Sequence, residues 1–364
     1  MVYSRVGGGH LSAARALAAE FEASGVATSL VDAYVDCGRW PVTRFPAIYA
    51  ELARHHPHLW WLVYRAAARP LNPSWVVGGF LRRGLAQRMQ RERPNVVVSV
   101  LPAVNGLLAA AVRPYGARLE VVLTDWHSVH PYWVARGVDH YTASTDSAAD
   151  DCVRYGASRE AIDVLGIPVR REFALPAAPR PQTQRLTILA MMGAEGSPRA
   201  LRNLAALASS TLDAQLVVVC GRSQDLRSQI QHLRARLPMQ VLGFAEDVET
   251  LMRSADVLVT KAGGVTLAEA FCTGIPVVVH DVLPGQESGN LEYVLARGAV
   301  AYASTPRRLV RTLAELETDP ARRALLADCG ARLARPHAAQ QIVANVLRRL
   351  ESARAQFGRH SEAE

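Results

Sequence analysis

The chain has 364 residues, 49% hydrophobic and 20% charged, a composition that excludes wholesale disorder and favours two domains over one. Lys and Arg number 41 against 33 Asp and Glu, for a formal charge of +8, and Lys261 is the only lysine. Such a charge suits nucleic acid, an anionic membrane or a phosphorylated substrate, and by itself selects none of them. The five cysteines, Cys37, Cys152, Cys220, Cys272 and Cys329, have neither metal-ligand nor redox spacing and are expected to be reduced, which favours the cytosol. The chain runs straight into a glycine-rich turn, so no signal peptide is expected. The longest apolar stretch, residues 96–112, is broken by Pro102 and Asn105, so any membrane contact is expected to be peripheral.

In chain order, short β-branched runs alternate with helical patterns, the signature of parallel α/β sheets. Strands are predicted at Val2–Val6, Thr28–Val31, Val96–Val100, Glu120–Leu123, His140–Ala143 and Ile162–Leu165. Residues 37–93 hold no clear strand and mix Trp40, Trp60, Trp61 and Trp75 with arginines and prolines. Residues 169–185, with Pro176, Pro179 and Pro181, read as a linker. A second set of strands is predicted at Leu186–Met191, Gln215–Cys220, Gln240–Leu242, Val257–Thr260, Pro276–His280 and Val300–Tyr302. A helical pattern through Ile342, Val346 and Leu350 closes the chain, with fraying expected after Gln356. The organisation is therefore an N-terminal domain over 1–168 with an insert at 37–93, a C-terminal domain over 186–335, and a helix and tail over 336–364. Each set of strands suffices for one doubly wound sheet, and two facing sheets leave a cleft between them.

Four segments carry chemistry. Gly7-Gly8-Gly9-His10 opens a helix after the first strand, so His10 sits at a helix N-terminus. The dipole there disfavours imidazolium and leaves a ring able to take a proton, although His10 could equally cap the helix. After Glu120–Leu123, Asp125, His127 and His130 form a weak metal-ligand pattern, and a polar loop around a packed Trp133 accounts for them as well. The segment Thr260 to Glu269 is a buried strand, a Gly263-Gly264 turn and a new helix. Its glycines allow close backbone approach, and the helix N-terminus offers unpaired N–H groups to a diphosphate. Glu269, one turn in, can accept ribose hydroxyls, or can be an ordinary exposed glutamate. Pro284-Gly285-Gln286-Glu287-Ser288-Gly289-Asn290 follows the next strand, where open α/β sheets bind ligands, and its polar groups suit sugar hydroxyls. In the insert, His55 to Arg65 and Trp75 to Arg83 mix aromatic and basic residues, as a lipid–water interface or a core helix with a basic outer face would.

Together these segments resemble the UDP-glycosyltransferases related to the peptidoglycan N-acetylglucosaminyltransferase. Residues 284–290 resemble more closely the monogalactosyldiacylglycerol synthases and bacterial diacylglycerol glucosyltransferases. The likeness continues through Gly137-Val138-Asp139, Ser144-Thr145 and Gly166-Ile167-Pro168-Val169-Arg170, and covers most of the chain apart from the insert. It implies the GT-B fold, two Rossmann-like doubly wound α/β domains facing across a cleft. It also implies inversion at the anomeric carbon, with neither metal nor cofactor, the UDP-sugar being a substrate. On the donor side it implies Gly9, Gly193, Gly221 and Arg222 lining the cleft and Phe244 beside the uracil. Lys261, Gly263, Gly264 and Thr266 would meet the diphosphate, Glu269 the ribose, and Gln286, Glu287 and Asn290 the sugar. His10 would be the base, oriented by Asp125, with His130, Trp133, Trp60 and Trp61 on the acceptor side. The implied partners are UDP-galactose or UDP-glucose, diacylglycerol or a similar lipid, and an anionic membrane on its cytoplasmic face. Nucleic acid is not among them, because the basic residues are scattered and no recognised motif is present.

One departure stands out. Relatives carry several more apolar residues before the glycine turn, whereas only Met1 to Val6 precede it here. A clipped strand or a misplaced start is expected, and with it a less secure N-terminal sheet. Two rival readings keep the fold: a prenyl-linked acceptor, or a scaffold without catalysis.

Overall fold

The computed structural model describes residues 1–6, 8–67, 74–175, 185–192 and 198–361. The first sheet has six strands: β1 (Val2–Tyr3), β2 (Val31–Asp32), β3 (Val96–Ser99), β4 (Arg118–Val122), β5 (His140–Ala143) and β6 (Ile162–Val164). All pairs are parallel, in the order β2-β1-β3-β4-β5-β6. The second sheet holds β7 (Leu186–Met191), β8 (Ala214–Val219), β9 (Met239–Leu242), β10 (Val257–Lys261), β11 (Val277–Asp281) and β12 (Val300–Tyr302). It too is parallel, in the order β12-β11-β10-β7-β8-β9. Runs such as Val277–Val279 are buried completely, as strands covered by helices on both faces must be.

The first strand forms, but over Val2–Tyr3 rather than the expected Val2–Val6. Val2 and Tyr3 pair with Val31 and Asp32, Val2 also pairs with Ser99, and the Met1 amine donates to the Ser29 carbonyl at 2.7 Å. The second strand lies later than Thr28–Val31, because Asp32 ends it by accepting from the N–H groups of Tyr34 and Val35 and so starting a helical turn.

The helices that build the cleft are α1 (Gly9–Ala23), the insert helices α2 (Phe45–His55), α3 (Pro57–Ala67) and α4 (Ser74–Glu92), then α5 (Gly264–Thr273), α6 (Ser288–Leu295) and α7 (Ala338–Ser361). The strand order reverses between β1 and β3 and between β7 and β10. Ligands gather at the carboxyl ends of strands at such points. There α1 follows β1 and α5 follows β10.

One hydrophobic cluster runs through both domains, joining Ala13, Leu17 and Phe21 of α1 to Val265 and Phe271 of α5 and Ile342, Val343 and Val346 of α7. The terminal helix thus returns to the first domain and continues past Gln356 to Ser361. Arg349 pairs there with the buried Glu120 at 2.7 Å and with Asp163 at 3.0 Å, and Asn345 donates to Asp163 at 3.0 Å. The first part of the expected linker is also packed: Val169 and Phe173 are buried, and Arg171 pairs with Glu20 at 2.7 Å. Residues 176–184 lie outside the described residues. All five cysteines are free, with Cys37, Cys152 and Cys220 buried. Among the described residues no helix is long and apolar enough to cross a membrane.

Candidate active site in the interdomain cleft

A cleft of about 1230 Å³ lies between the carboxyl ends of the two sheets. The first domain lines it with Gly8 to Ser12, Thr124 and Asp125. The second lines it with Gly221, Arg222, Phe244, Lys261, Gly263 to Thr266, Glu269, Gln286, Glu287 and Asn290. Of the donor-side residues expected from sequence, only Gly193 is missing from this wall, and it lies outside the described residues, as does Gly7.

His10 is the second residue of α1, with Gly8 at the N-cap and no side-chain cap. The imidazole therefore does not cap its helix. Burial is the main influence on its pKa and brings it down to about 4, against a hydrogen bond with the Val6 backbone that acts the other way. Desolvation of the ring thus favours its neutral form. A Cβ at Gly8 would meet nothing within 4 Å, so this glycine faces open space, whereas one at Gly9 would touch Val265 at 3.4 Å. Asp125 accepts from Trp133 Nε1 at 2.9 Å, and burial raises its pKa to about 6 while hydrogen bonds from Trp133 and Asn290 oppose the rise. Its carboxylate is held by those two residues and not by His10, which corrects the expectation that Asp125 orients the base.

On the facing wall, Gly263 is the N-cap of α5 and has no side-chain cap, which leaves the first N–H groups of that helix to the cleft. Glu269 is buried, and its Oε1 accepts from Ser12 Oγ of the other domain at 2.8 Å. Burial raises its pKa to about 7, partly offset by the Ser12 hydrogen bond and by Arg170. Lys261 Nζ lies 3.4 Å from Glu287, whose other oxygen accepts from the Leu283 N–H at 2.8 Å. The Arg222 guanidinium stacks over the exposed Phe244 ring at 4.9 Å.

Two donor-side expectations change. A Cβ at Gly264 would stand 2.0 Å from the Thr124 carbonyl oxygen, so that glycine is required by the opposing domain's backbone. Asn290 is buried and spends its amide on a brace between domains. Its Oδ1 accepts from the Trp126 N–H at 2.7 Å, its Nδ2 donates to the Ala262 carbonyl at 3.1 Å, and it also bonds Asp125. Little of it is left for a sugar.

The acceptor-side expectations change more. Trp133 is completely buried and reaches the cleft only through Asp125. His130 is buried as well: its Nε2 lies 3.1 Å from the Tyr64 carbonyl and its Nδ1 accepts from the Tyr132 N–H. Trp60 is buried edge-on against Tyr49, with ring centroids 4.7 Å apart. Half-buried Trp61 lies under the Arg65 guanidinium at 4.6 Å. The weak metal pattern does not assemble, because His127 turns to Ser147 and His130 to Tyr64. Among the described residues no group of three metal-ligating side chains forms. The side chain of Trp75 lies outside the described residues.

Sequence reasoning missed four residues that organise the cleft. Ser12 holds Glu269. Tyr49 donates to Gln286 at 3.1 Å, and Arg54 donates to Ser223 at 3.1 Å. Trp126 wedges between the domains, its indole N–H donating to the Gly264 carbonyl at 3.0 Å and its ring meeting Phe271 edge-on. Only Trp126 carried a signal, a tryptophan directly after a strand-end Asp.

Residues 10–169 match the family model for monogalactosyldiacylglycerol (MGDG) synthase, and residues 189–332 match glycosyl transferases group 1. A curated protein of Glycine max, described as a probable chloroplastic monogalactosyldiacylglycerol synthase, is 29% identical over 86% of this chain. The match spans 64% of that protein's length. Among solved structures, Acinetobacter baumannii MurG superposes with a TM-score of 0.64 at 19% identity, over 96% of this chain and 98% of its own. Anabaena Alr3699/HepE, described in complex with UDP and glucose, superposes with a TM-score of 0.53 at 16% identity, over 73% and 81%. Two facing parallel sheets with a cleft at their switch points give the fold: it is GT-B. Within that fold the chain is similar in sequence to monogalactosyldiacylglycerol synthases over its first half and to glycosyl transferases group 1 over its second.

Proposed function

We propose that this protein transfers a hexose from a UDP-sugar to a lipid hydroxyl, diacylglycerol before other acceptors, with inversion and without metal or cofactor. One observation carries the proposal. A neutral His10 at the head of α1 shares a single cleft with the uncapped head of α5, Lys261, Glu269 and Gln286. The diphosphate would lie against the free N–H groups of α5, beside Thr266 and Lys261. The uracil would stack near Phe244 and Arg222, and the ribose would replace Ser12 on Glu269. The acceptor oxygen then attacks the anomeric carbon, His10 takes its proton, and the bond to the β-phosphate breaks with its electron pair leaving on UDP. Asp125 would border the acceptor side of this step, with its carboxylate held by Trp133 and Asn290.

The relatives' description as monogalactosyldiacylglycerol synthases supports the lipid acceptor, and the UDP and glucose described with the Anabaena protein support the donor. The insert exposes Trp40, Ile48, Leu59, Leu62 and Val63, and basic Arg39, Arg44 and Arg65 stand among them in sequence. That mixture suits peripheral docking to an anionic membrane on its cytoplasmic face. To test the proposal, purified protein is supplied with UDP-galactose or UDP-glucose and diacylglycerol vesicles, and the lipids are read by mass spectrometry. A hexosyl diacylglycerol is expected. Product only with a prenyl-linked lipid would replace the acceptor, and UDP binding with no product on any lipid would defeat transfer.

A further inference from the structure

We propose that Tyr49, on insert helix α2, is a positioning residue for the donor sugar: it fixes the amide of Gln286 and thereby which hexose the site accepts. The inference deepens the function proposed above and rests on Gln286 as a sugar contact. Tyr49 lies 237 positions before Gln286, in a segment expected to serve only the acceptor and the membrane. It is buried, yet it is among the residues lining the cleft, and its hydroxyl donates to Gln286 Oε1 at 3.1 Å. A primary amide carries one acceptor oxygen and two donor hydrogens. With one lone pair of the oxygen engaged by Tyr49 and the amide so oriented, the NH2 group is the donor side that Gln286 presents to a ligand. Hexose epimers differ in the direction of a single hydroxyl. An amide held in one orientation separates them, whereas one free to exchange its oxygen and nitrogen satisfies either.

The surroundings hold Tyr49 and the donor loop in register. The Tyr49 ring stands edge-on to Trp60, Trp60 contacts Tyr64 at 6.4 Å, and Tyr64 contacts the His130 ring at 4.5 Å. A Cβ at Gly285 would fall 2.8 Å from Tyr64 Cδ1 and 3.4 Å from Trp61 Cδ1, at a φ of +85° that already disfavours a side chain. The insert thus seats directly on Gly285-Gln286. Arg54, on the same helix as Tyr49, makes a second contact with the C-terminal domain at Ser223. Trp60 and His130, expected to meet the acceptor, instead buttress the two tyrosines that meet the donor loop.

The test measures dissociation constants of the full chain for UDP, UDP-galactose and UDP-glucose by calorimetry, which needs no acceptor. The same is done for Tyr49→Phe, Gln286→Ala and the double variant, with a thermal melt of each to confirm folding. The wild type is expected to separate the two hexoses, and Tyr49→Phe to shrink that separation by about tenfold while UDP affinity stays within about twofold. Gln286→Ala is expected to do the same, and the double variant to lose no more than either. Equal weakening for both hexoses in Tyr49→Phe would mark a merely structural tyrosine and overturn the inference. Unchanged preference in Tyr49→Phe alone would also overturn it, while leaving Gln286 as a sugar contact. No preference in the wild type, or an unchanged preference in Gln286→Ala, would remove Gln286 from the sugar and overturn both.

Discussion

The turn into α1 and the turn into α5 are the same device built twice, a parallel strand running through glycines into an uncapped helix at a switch point, yet their glycines serve different ends. Gly8 borders open space, and what the turn carries is His10. Gly264 is pressed against the Thr124 backbone, and what its turn carries is the seam between the domains, with the helix N-terminus and Glu269 beside it. Glycine in a strand-to-helix turn therefore does not by itself mean ligand approach. Gly8 leaves room, and Gly264 lets two backbones touch.

If the first turn carries the chemistry, its histidine is where transfer is most sensitive. His10→Ala should lower transfer by about 10²- to 10⁴-fold with UDP affinity unchanged, read by steady-state kinetics and calorimetry. Gly264→Ala should come next. A methyl group 2.0 Å from a carbonyl oxygen cannot be relieved by a rotamer change, so destabilisation of about 2 kcal/mol or more is expected in denaturant melts. Its failure to appear would make that glycine a ligand glycine after all.

Glu269 sharpens the contrast through pH. Burial raises its folded pKa to about 7 from the ordinary 4.5, so the folded state holds a proton that the unfolded state has released between those values. Stability therefore falls as pH rises from 4.5 to 7, and the cost of the buried carboxylate is complete above pH 7. Glu269→Gln should raise the Tm of the ligand-free protein at pH 8, with the gain vanishing toward pH 4.5. The same variant should weaken UDP binding at pH 8 by about 10- to 100-fold, the value of hydrogen bonds to a charged group. The smallest effect belongs to Gly8→Ala, which has open space and a φ of −81° that alanine tolerates. A stability change of about 1 kcal/mol or less is expected. A much larger fall in transfer would place substrate against that turn.

Most of the architecture was legible in the sequence because parallel strands buried on both faces read as continuous β-branched runs, as at Val277–Val279. The exceptions were at the first two strands: β1 stops at Tyr3 rather than Val6, and β2 is displaced by the Asp32 cap, since a side chain that ends a strand looks like any other polar residue. The cleft was legible where a motif sits on a strand end, as with His10 and Lys261 to Glu269. It was not legible where direction decides. Trp133, His130 and Trp60 have the chemistry of a lipid-facing surface, but they point inward. Nor do Ser12 with Glu269, or Tyr49 with Gln286, announce themselves, because contacts between residues hundreds of positions apart are set by how two domains meet.

The return of α7 to the first domain bears on how this protein is born. The face of α1 that it covers includes part of the cluster of Leu17 and Phe21 with Ile342 and Val346. On the ribosome those partners are made after the whole second sheet. At about 5–20 residues per second, the stretch between residues 170 and 350 takes on the order of 10 to 40 seconds to synthesise. For that interval the first domain carries an unfinished apolar surface, and its packing is completed only when the end of the second has emerged.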